Sequence, residues 1–179
     1  MPFNFEKTFI DGLIKIVPKQ FFDERGYFKE IYKKSDFMKN NITEDFLQDN
    51  FSFSKKGVLR GIHLQKEPYS QSKIVNCLKG KILDVAIDLR KNSPTYGQWY
   101  SQILSAENNI SMYIPSGFGH GFYSLGEENL VLYKTSSEYN AESESGIIWN
   151  DPDLNINWQL IGQPIISQKD KELKKFKEV

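Results

Sequence analysis

The chain has 179 residues, 23 basic against 23 acidic side chains, a formal net charge of zero and one cysteine. That length suits one domain, read here as residues 1–179, and one cysteine excludes an intrachain disulfide and most thiolate metal sites, so Cys77 reads as apolar filler. No excess of Lys or Arg is present to neutralise a phosphate backbone, no apolar run approaches the roughly 20 residues of a membrane helix, and Met1–Glu6 lack the basic-then-apolar order of a signal peptide. The expectation is a cytoplasmic protein without nucleic-acid or membrane partners, whose natural partner is a second copy of itself.

In chain order, Leu13–Val17 reads as a short strand ending at Pro18, and Tyr27–Lys33 as an alternating strand after the turn Asp23-Glu24-Arg25-Gly26. Ser35–Asn40 reads as a helix that Ser35 or Asp36 could cap. Phe46–Ser54 is extended, and Lys55-Lys56-Gly57 has the look of a hairpin turn into Val58–Leu64. Ser72–Leu78 and Ile82–Leu89 flank Lys79-Gly80-Lys81, a tight turn with Gly80 at positive φ. Gly97–Leu104, Ile110–Ile114, His120–Leu125 and Leu130–Ser136 follow, then a polar loop over Glu138–Ser145 and a last strand near Gly146–Asn150. The Ser167-x-x-Asp170 spacing opens a terminal helix over Lys169–Lys177 as a capping box with Asp in place of Glu. Short strands about ten residues apart, without long helices between them, predict an all-β fold. The expected form is a cupin-like jelly-roll barrel with short peripheral helices, able to hold one small ligand inside.

The two histidines, His63 and His120, sit inside or beside strand patterns. The Pro115-x-Gly117-x-x-His120 spacing resembles the second motif of cupin barrels, where such a His often binds metal. The first motif would need His-x-His, and the chain has His63-x-Gln65, so no metal is expected; a metal site would have to use His63, His120 and a carboxylate such as Glu67. Without metal, a polar barrel interior works through acid and base side chains. His63 is the candidate base, with Asp170, Asp84 or Asp88 to orient its ring, and Tyr133 is a phenol able to donate a proton. Strict alternation would put Arg60 and His63 on opposite faces unless Gly61 marks a bulge. Arg25, Arg60, Lys73 and Lys169 lie beside polar or Gly-rich sequence and together could clamp a diphosphate. Gly-x-Ser-x-Gly, Gly-x-Gly-x-x-Gly and P-loop patterns are missing, which removes the usual hydrolase, dinucleotide and phosphate-loop readings.

From about Phe9 to Asp170 the sequence resembles the dTDP-4-dehydrorhamnose 3,5-epimerase family. The blocks that carry the likeness are Asp23–Glu30, Gln48-Asp49-Asn50, Gly57–Gln65, Asp84–Arg90 with Ser93-Pro94-Thr95, Pro115–Phe122, Trp149–Pro152 and Ser167–Asp170. The resemblance implies a cupin-like homodimer without metal or cofactor, acting on a dTDP-linked 4-keto-6-deoxy sugar and inverting it at C3 and C5. It makes His63 the base, Asp170 its ring-orienting partner, Tyr133 the opposing acid and Lys73 the cation near the C4 oxygen. Arg60 and His120 fall near the diphosphate and sugar; Arg25, Phe28, Glu30, Gln48 and Asn50 match nucleotide-contacting positions, some reaching across the dimer. Tyr139 matches the aromatic that stacks on thymine, and Glu144 and Lys169 match further binding positions. Two departures stand out: Gly119 where the family commonly has Ala, and Gln159 after Trp158 where Pro is usual. Relatives that invert one centre, or act on another nucleotide 4-keto sugar, are the alternative within the family. A metal-dependent cupin enzyme is a second one, disfavoured by His63-x-Gln65; a non-catalytic sugar-binding cupin, which would lack the base or acid, is the alternative from another class.

Overall fold

The computed structural model describes residues 2–179. Its strands are β1 (Phe3–Lys7), β2 (Ile14–Pro18), β3 (Phe21–Asp23), β4 (Gly26–Phe28), β5 (Gln48–Lys55), β6 (Leu59–Gln65) and β7 (Lys73–Lys79), with helix α1 (Lys34–Met38) before β5. β8 (Lys81–Asp88), β9 (Trp99–Ser105), β10 (Ser111–Ile114), β11 (Phe118–Ser124), β12 (Glu128–Thr135) and β13 (Glu144–Gly146) complete the strands, and α2 (Gln168–Lys171) lies near the C-terminus. A six-stranded sheet in the order β1-β2-β10-β7-β12-β5 faces a five-stranded sheet in the order β13-β6-β11-β8-β9, while β3 and β4 form a separate ribbon. This is the expected all-β, cupin-like double-sheet barrel.

Period-two alternation sorts the side chains into three layers. Val75 and Cys77 from β7, Met112 and Ile114 from β10 and Val131 from β12 meet Ile82, Ala86, Leu104, Phe118 and Phe122 from the other sheet in the barrel interior. Outside the five-stranded sheet, Leu59, Ile62, Leu83, Val85, Ile87 and Tyr123 pack under Ile147, Leu154 and Trp158 of the C-terminal stretch. Outside the six-stranded sheet, Phe37 and Ile42 cover Phe3, Ile16, Ile74 and Tyr113. β8 is thus buried on both faces, which is why it reads as an almost unbroken apolar run.

Several boundaries differ from the sequence expectation, each for a packing reason. β1, in which Phe3 and Phe5 alternate with Asn4 and Glu6, lies outside the expected strands and pairs with β2. Of the strand expected over Tyr27–Lys33 only Tyr27 and Phe28 are ribbon; Lys29 turns aside to donate to Asn109 Oδ1, and Tyr32 packs against Phe37 and Phe46. The N-cap of α1 is Lys33, without a side-chain cap, in place of Ser35 or Asp36. Lys55-Lys56-Gly57 is no hairpin, because β5 pairs with β12 and β6 with β11. Lys79-Gly80-Lys81 likewise passes the chain from one sheet to the other, with Gly80 at φ +79° as expected. A Cβ at Gly80 would stand 2.1 Å from the Glu128 carbonyl oxygen, so this corner admits glycine alone. The last strand is β13, earlier than the expected Gly146–Asn150, and it takes the end of the expected Glu138–Ser145 loop. The terminal helix stops after one turn because Leu173 and Lys174 are drawn onto Gly146–Ile148, where the Ile148 N–H donates to the Lys174 carbonyl at 2.8 Å.

Both departures from the family pattern have local explanations. Gln159 has φ +51° and donates its N–H to Asn157 Oδ1, a conformation and a bond closed to proline. At Gly119 a Cβ would lie 2.7 Å from Ile62 Cγ2 and 3.1 Å from Leu89 Cδ1, so the missing methyl is the space that branched Ile62 fills. Gly119→Ala is expected to destabilise the protein by about 1–3 kcal/mol through overpacking, read as a lower melting temperature. Adding Ile62→Leu, which carries no Cγ2, is expected to recover part of the loss.

Candidate active site

The alternation that builds the core also carries a set of polar side chains into the barrel. Asp84 lies between Ile82 and Ala86 on the inner face of β8, Lys73 precedes Val75 on β7, His120 lies between Phe118 and Phe122 on β11, and Tyr133 follows Val131 on β12. Beside Lys73 and Tyr133 opens a cavity of about 310 Å³ lined by Gln48, Asn50, His63, Gln65, Lys73, Tyr133, Tyr139 and Glu144, among others, while Asp84, His120 and Arg60 stand outside its lining. His63, Tyr133 and Lys73 therefore share one space, reached from β6, β12 and β7. Tyr133 marks its floor, packed against the apolar interior below.

Arg60 and His63 do not fall on opposite faces. On β11 one residue separates His120 from Phe122, whereas on β6 two residues separate His63 from Arg60. The extra residue is a bulge at Gly61-Ile62, which sends Leu59 and Ile62 together into the outer core. It frees Arg60 for the cavity side, where Nε donates to Ser54 Oγ at 3.0 Å and a terminal nitrogen donates to the Phe53 carbonyl at 3.0 Å. Gly61 has φ +108°, and a Cβ there would meet Gly121 Cα and the His120 carbonyl oxygen at 2.7 Å, so the bulge requires glycine.

Asp170, from α2, docks behind this bulge. Its Oδ2 accepts the Gly61 N–H at 3.1 Å and its Oδ1 lies 2.7 Å from His63 Nε2. Ser167 caps α2 by accepting the Asp170 N–H at 3.1 Å. The capping box stays one-sided because its acidic side chain is taken by His63 and Gly61. Burial alone would raise the Asp170 carboxyl; the His63 hydrogen bond and charge, with the Gly61 and Ser167 bonds, hold it below the usual carboxylate value. An ionised Asp170 accepts a hydrogen bond from Nε2–H, leaving Nδ1 of His63 with the lone pair that can accept a proton. Of the other carboxylates weighed for this role, Asp84 holds His120 Nε2 at 2.7 Å, and Asp88 is occupied by Arg90, Ser93 and Thr95.

Burial raises the Tyr133 phenol above its ordinary value, against a smaller opposing effect of the Arg60 charge, so the group keeps its proton in neutral solution. Lys73 is buried, and the loss of water around its ammonium pushes its pKa down to about 8, with Asp84 and Glu144 opposing the fall. At the mouth, Glu144 accepts from Tyr139 Oη at 2.6 Å and from Lys169 Nζ at 2.5 Å, and Gln48 Oε1 accepts the Tyr139 N–H at 2.9 Å. Arg25, Phe28 and Glu30 are not brought to the cavity. They stand on or just after the β3–β4 ribbon, where Arg25 is ion-paired with Asp23 at 2.6 Å and the ribbon's six residues are all exposed. Gln65 and Gln71 line the cavity and are not among the expected site residues; the sequence signals for Gln65 are its strand phase with His63 and its place in the His63-x-Gln65 motif. Glu67 belongs to a different cavity with Lys66 and Leu89, and among the described residues no group of three or more His, Cys, Asp and Glu side chains is placed to hold a metal. No helix among them is long and apolar enough to cross a membrane.

The model of the dTDP-4-dehydrorhamnose 3,5-epimerase family matches residues 7–178. The chain belongs to that family. It is 47% identical over 178 residues to the dTDP-4-dehydrorhamnose 3,5-epimerase of Methanothermobacter thermautotrophicus, covering 98% of this chain and 96% of that one. The structure of the dTDP-6-deoxy-D-glucose-3,5-epimerase of Legionella pneumophila in complex with dTDP-4-keto-L-rhamnose superposes with a TM-score of 0.96 at 44% identity, covering 99% of this chain and 94% of that one. A 3'-monoepimerase from Streptomyces bikiniensis in complex with dTDP-quinovose superposes at 0.89 with 32% identity, covering 95% of this chain and 86% of that one. Like these relatives, the chain is an epimerase.

Lys73 gives a test of the site's electrostatics that needs no substrate. Its folded pKa of about 8 lies below its ordinary 10.5, so below pH 8 the fold carries a buried charge that the unfolded chain would solvate. Between pH 8 and 10.5 the unfolded chain binds the proton that the folded one has lost, and this group's contribution to stability rises with pH. Lys73→Met is expected to melt above the wild type at neutral pH, with the gap closing as pH climbs through that window; thermal melts across the range measure it.

Proposed function

We infer that this chain inverts C3 and C5 of dTDP-4-dehydro-6-deoxy-D-glucose, giving dTDP-4-dehydro-L-rhamnose by acid–base proton transfer. The observation that carries the reading is the shared cavity: an imidazole backed by a carboxylate, a protonated phenol and a buried ammonium around one space. A hydrogen beside a ketone is acidic because its electron pair can delocalise onto the carbonyl oxygen. In the proposed sequence His63 Nδ1 takes the proton beside the C4 ketone, and the C–H pair becomes the enolate C=C as the carbonyl pair moves to oxygen. The Lys73 ammonium faces that oxygen, where charge exists only after proton loss, so it favours the transition state over the ground state. Tyr133 then delivers its proton to the opposite face of the carbon and the ketone re-forms. The His63 and Tyr133 protons re-equilibrate with water, and the cycle repeats at the second carbon. Electrons leave and return within one substrate, so the chemistry asks for no redox cofactor and no metal. Arg60 and His120 are assigned to the diphosphate and sugar, with Gln48, Asn50, Tyr139, Glu144 and Lys169 at the nucleotide end.

We further propose that residues 1–179 act as one catalytic domain in a cytoplasmic homodimer, without nucleic-acid or membrane partners. The support for a dimer is an uncovered apolar face: Phe51 and Phe53 on the outer side of edge strand β5 are 59% and 47% exposed, beside half-buried Leu130 and Leu132. The ribbon adds exposed Phe21, Phe22, Tyr27 and Phe28. In this reading Arg25, Phe28 and Glu30, which lie away from their own chain's cavity, complete the partner's site.

A second reading, inversion at one centre only, is favoured by the likeness to the Streptomyces monoepimerase, although the identity to 3,5-epimerases is higher. Proton NMR of the 4-keto nucleotide sugar in D2O, followed by reduction and identification of the sugar, separates the two. Deuterium at both C3 and C5 is expected; incorporation at one would establish the narrower activity, and none at either would end the epimerase reading. His63→Ala is expected to abolish exchange at both carbons and lower turnover by about 10³-fold or more. Tyr133→Phe is expected to impair inversion while leaving measurable exchange, because abstraction still occurs.

The dimer is tested by complementation. Phe51→Glu with Phe53→Glu is expected to sediment as a monomer with little activity. Mixed and re-equilibrated, the inactive chains His63→Ala and Arg25→Ala are expected to regain activity through mixed dimers holding one intact site. A failure of that mixture to recover would place Arg25 outside the partner's site.

A further inference from the structure

Gln65 stands two residues after His63 on β6, faces the same cavity, and is buried. Every hydrogen bond of its side chain goes to main chain of the loops at the cavity mouth. Nε2 donates to the Tyr69 carbonyl at 2.9 Å and the Glu138 carbonyl at 3.2 Å, and Oε1 accepts the Asn140 N–H at 2.7 Å. From the opposite sheet, Gln48 Oε1 accepts the Tyr139 N–H at 2.9 Å. Glu138, Tyr139 and Asn140 are therefore gripped one after another by glutamines rooted in β6 and β5, while the Tyr139 hydroxyl is tethered to Glu144. With both donors of its amide engaged, Gln65 has no N–H left for substrate.

We propose that Gln65 is a positioning residue: it holds the Glu138–Asn140 segment across the gap between the two sheets, fixes the pose of the Tyr139 ring at the mouth, and so sets affinity for the base end of a nucleoside diphosphate sugar. The inference rests on the nucleotide-sugar reading above. A buried amide that loses these bonds strands two carbonyls and an N–H, which regain partners only if the loop moves out to water. Such a shift displaces Tyr139 and leaves His63, Tyr133 and Lys73 in place, since strands β6, β12 and β7 and the Asp170 contact hold them. The effect belongs in substrate binding and not in proton transfer.

Gln65→Met keeps the length and removes all three bonds; Gln65→Glu keeps only the acceptor for the Asn140 N–H and carries the same comparison if the Met variant fails to fold. Each is made alone and with Tyr139→Ala, and assayed for KM and kcat on the 4-keto nucleotide sugar and, by calorimetry, for dTDP affinity. Expected are a rise of about tenfold in KM and in the dTDP Kd with kcat within about twofold, and a double variant no weaker in binding than Tyr139→Ala alone. Additive losses in the double variant, or a fall in kcat with unchanged KM and dTDP affinity, would overturn the proposal. A wild-type protein that binds dTDP but leaves the sugar unchanged would count against the proposed reaction alone, because the calorimetric arm still tests Gln65.

Discussion

The contact between Asp170 and the Gly61–His63 stretch ties the last helix to a strand of the barrel, and the arrangement of the cavity depends on it. One carboxylate meets a backbone N–H and an imidazole nitrogen together, which is possible only because the bulge in β6 turns the Gly61 N–H out of the sheet ladder. The bulge in turn requires glycine at 61 and close passage of the chain at Gly121. The cap from Ser167 aims Asp170, and the packing of Leu173 against Gly146 and Lys174 beside Ile147 stops the helix where it can reach β6. A hydrogen-bonded charge at this depth is worth a few kcal/mol against leaving the imidazole unpaired. The C-terminal stretch is thus both the lid on the outer core and the support of the proposed base.

The barrel also separates two demands that would otherwise conflict. Apolar side chains fill the part of the interior around Val75, Ala86 and Phe122, while polar groups gather toward one mouth. Burial that stabilises the first set perturbs the second: it lowers the pKa of Lys73 and raises that of Tyr133. In the proposed chemistry those shifts matter. A phenol that resists ionisation stays available as an acid, and an ammonium short of water is poorly satisfied until an enolate oxygen forms beside it. The His120–Asp84 pair repeats the His63–Asp170 arrangement on the neighbouring strands, deeper in the barrel, where both side chains are buried. That pairing fixes His120, and the Asp84 charge opposes the fall in the Lys73 pKa.

The mouth is organised differently from the floor. Strands hold His63, Lys73 and Tyr133, whereas Tyr139 sits on irregular chain that side chains must tie down. Glutamine suits that task because its amide donates and accepts at once and its length spans from strand to loop. At Gln65, the position where metal-binding cupin barrels place a histidine ligand, this chain uses the side chain to brace the mouth.

The sequence by itself determined the strand-rich class, the position of most strands, the positive-φ turn at Gly80, His63 as the candidate base and the family to which its motif blocks point. These were legible because they rest on local rules: period-two burial, turn chemistry and the few residue types that titrate usefully. Asp170 could be named beside Asp84 and Asp88 as a partner for His63, and residue chemistry alone could not separate three carboxylates. The tertiary structure decided among them, by giving Asp84 to His120 and Asp88 to Arg90, Ser93 and Thr95. It also decided that the turns at Lys55–Gly57 and Lys79–Lys81 cross between sheets, that the bulge turns Arg60 to the side of His63, and that Arg25, Phe28 and Glu30 stand apart from the cavity of their own chain. Each of these depends on which strand lies beside which. Strand neighbours are set by the burial of whole faces, and a face is shared by segments far apart in sequence.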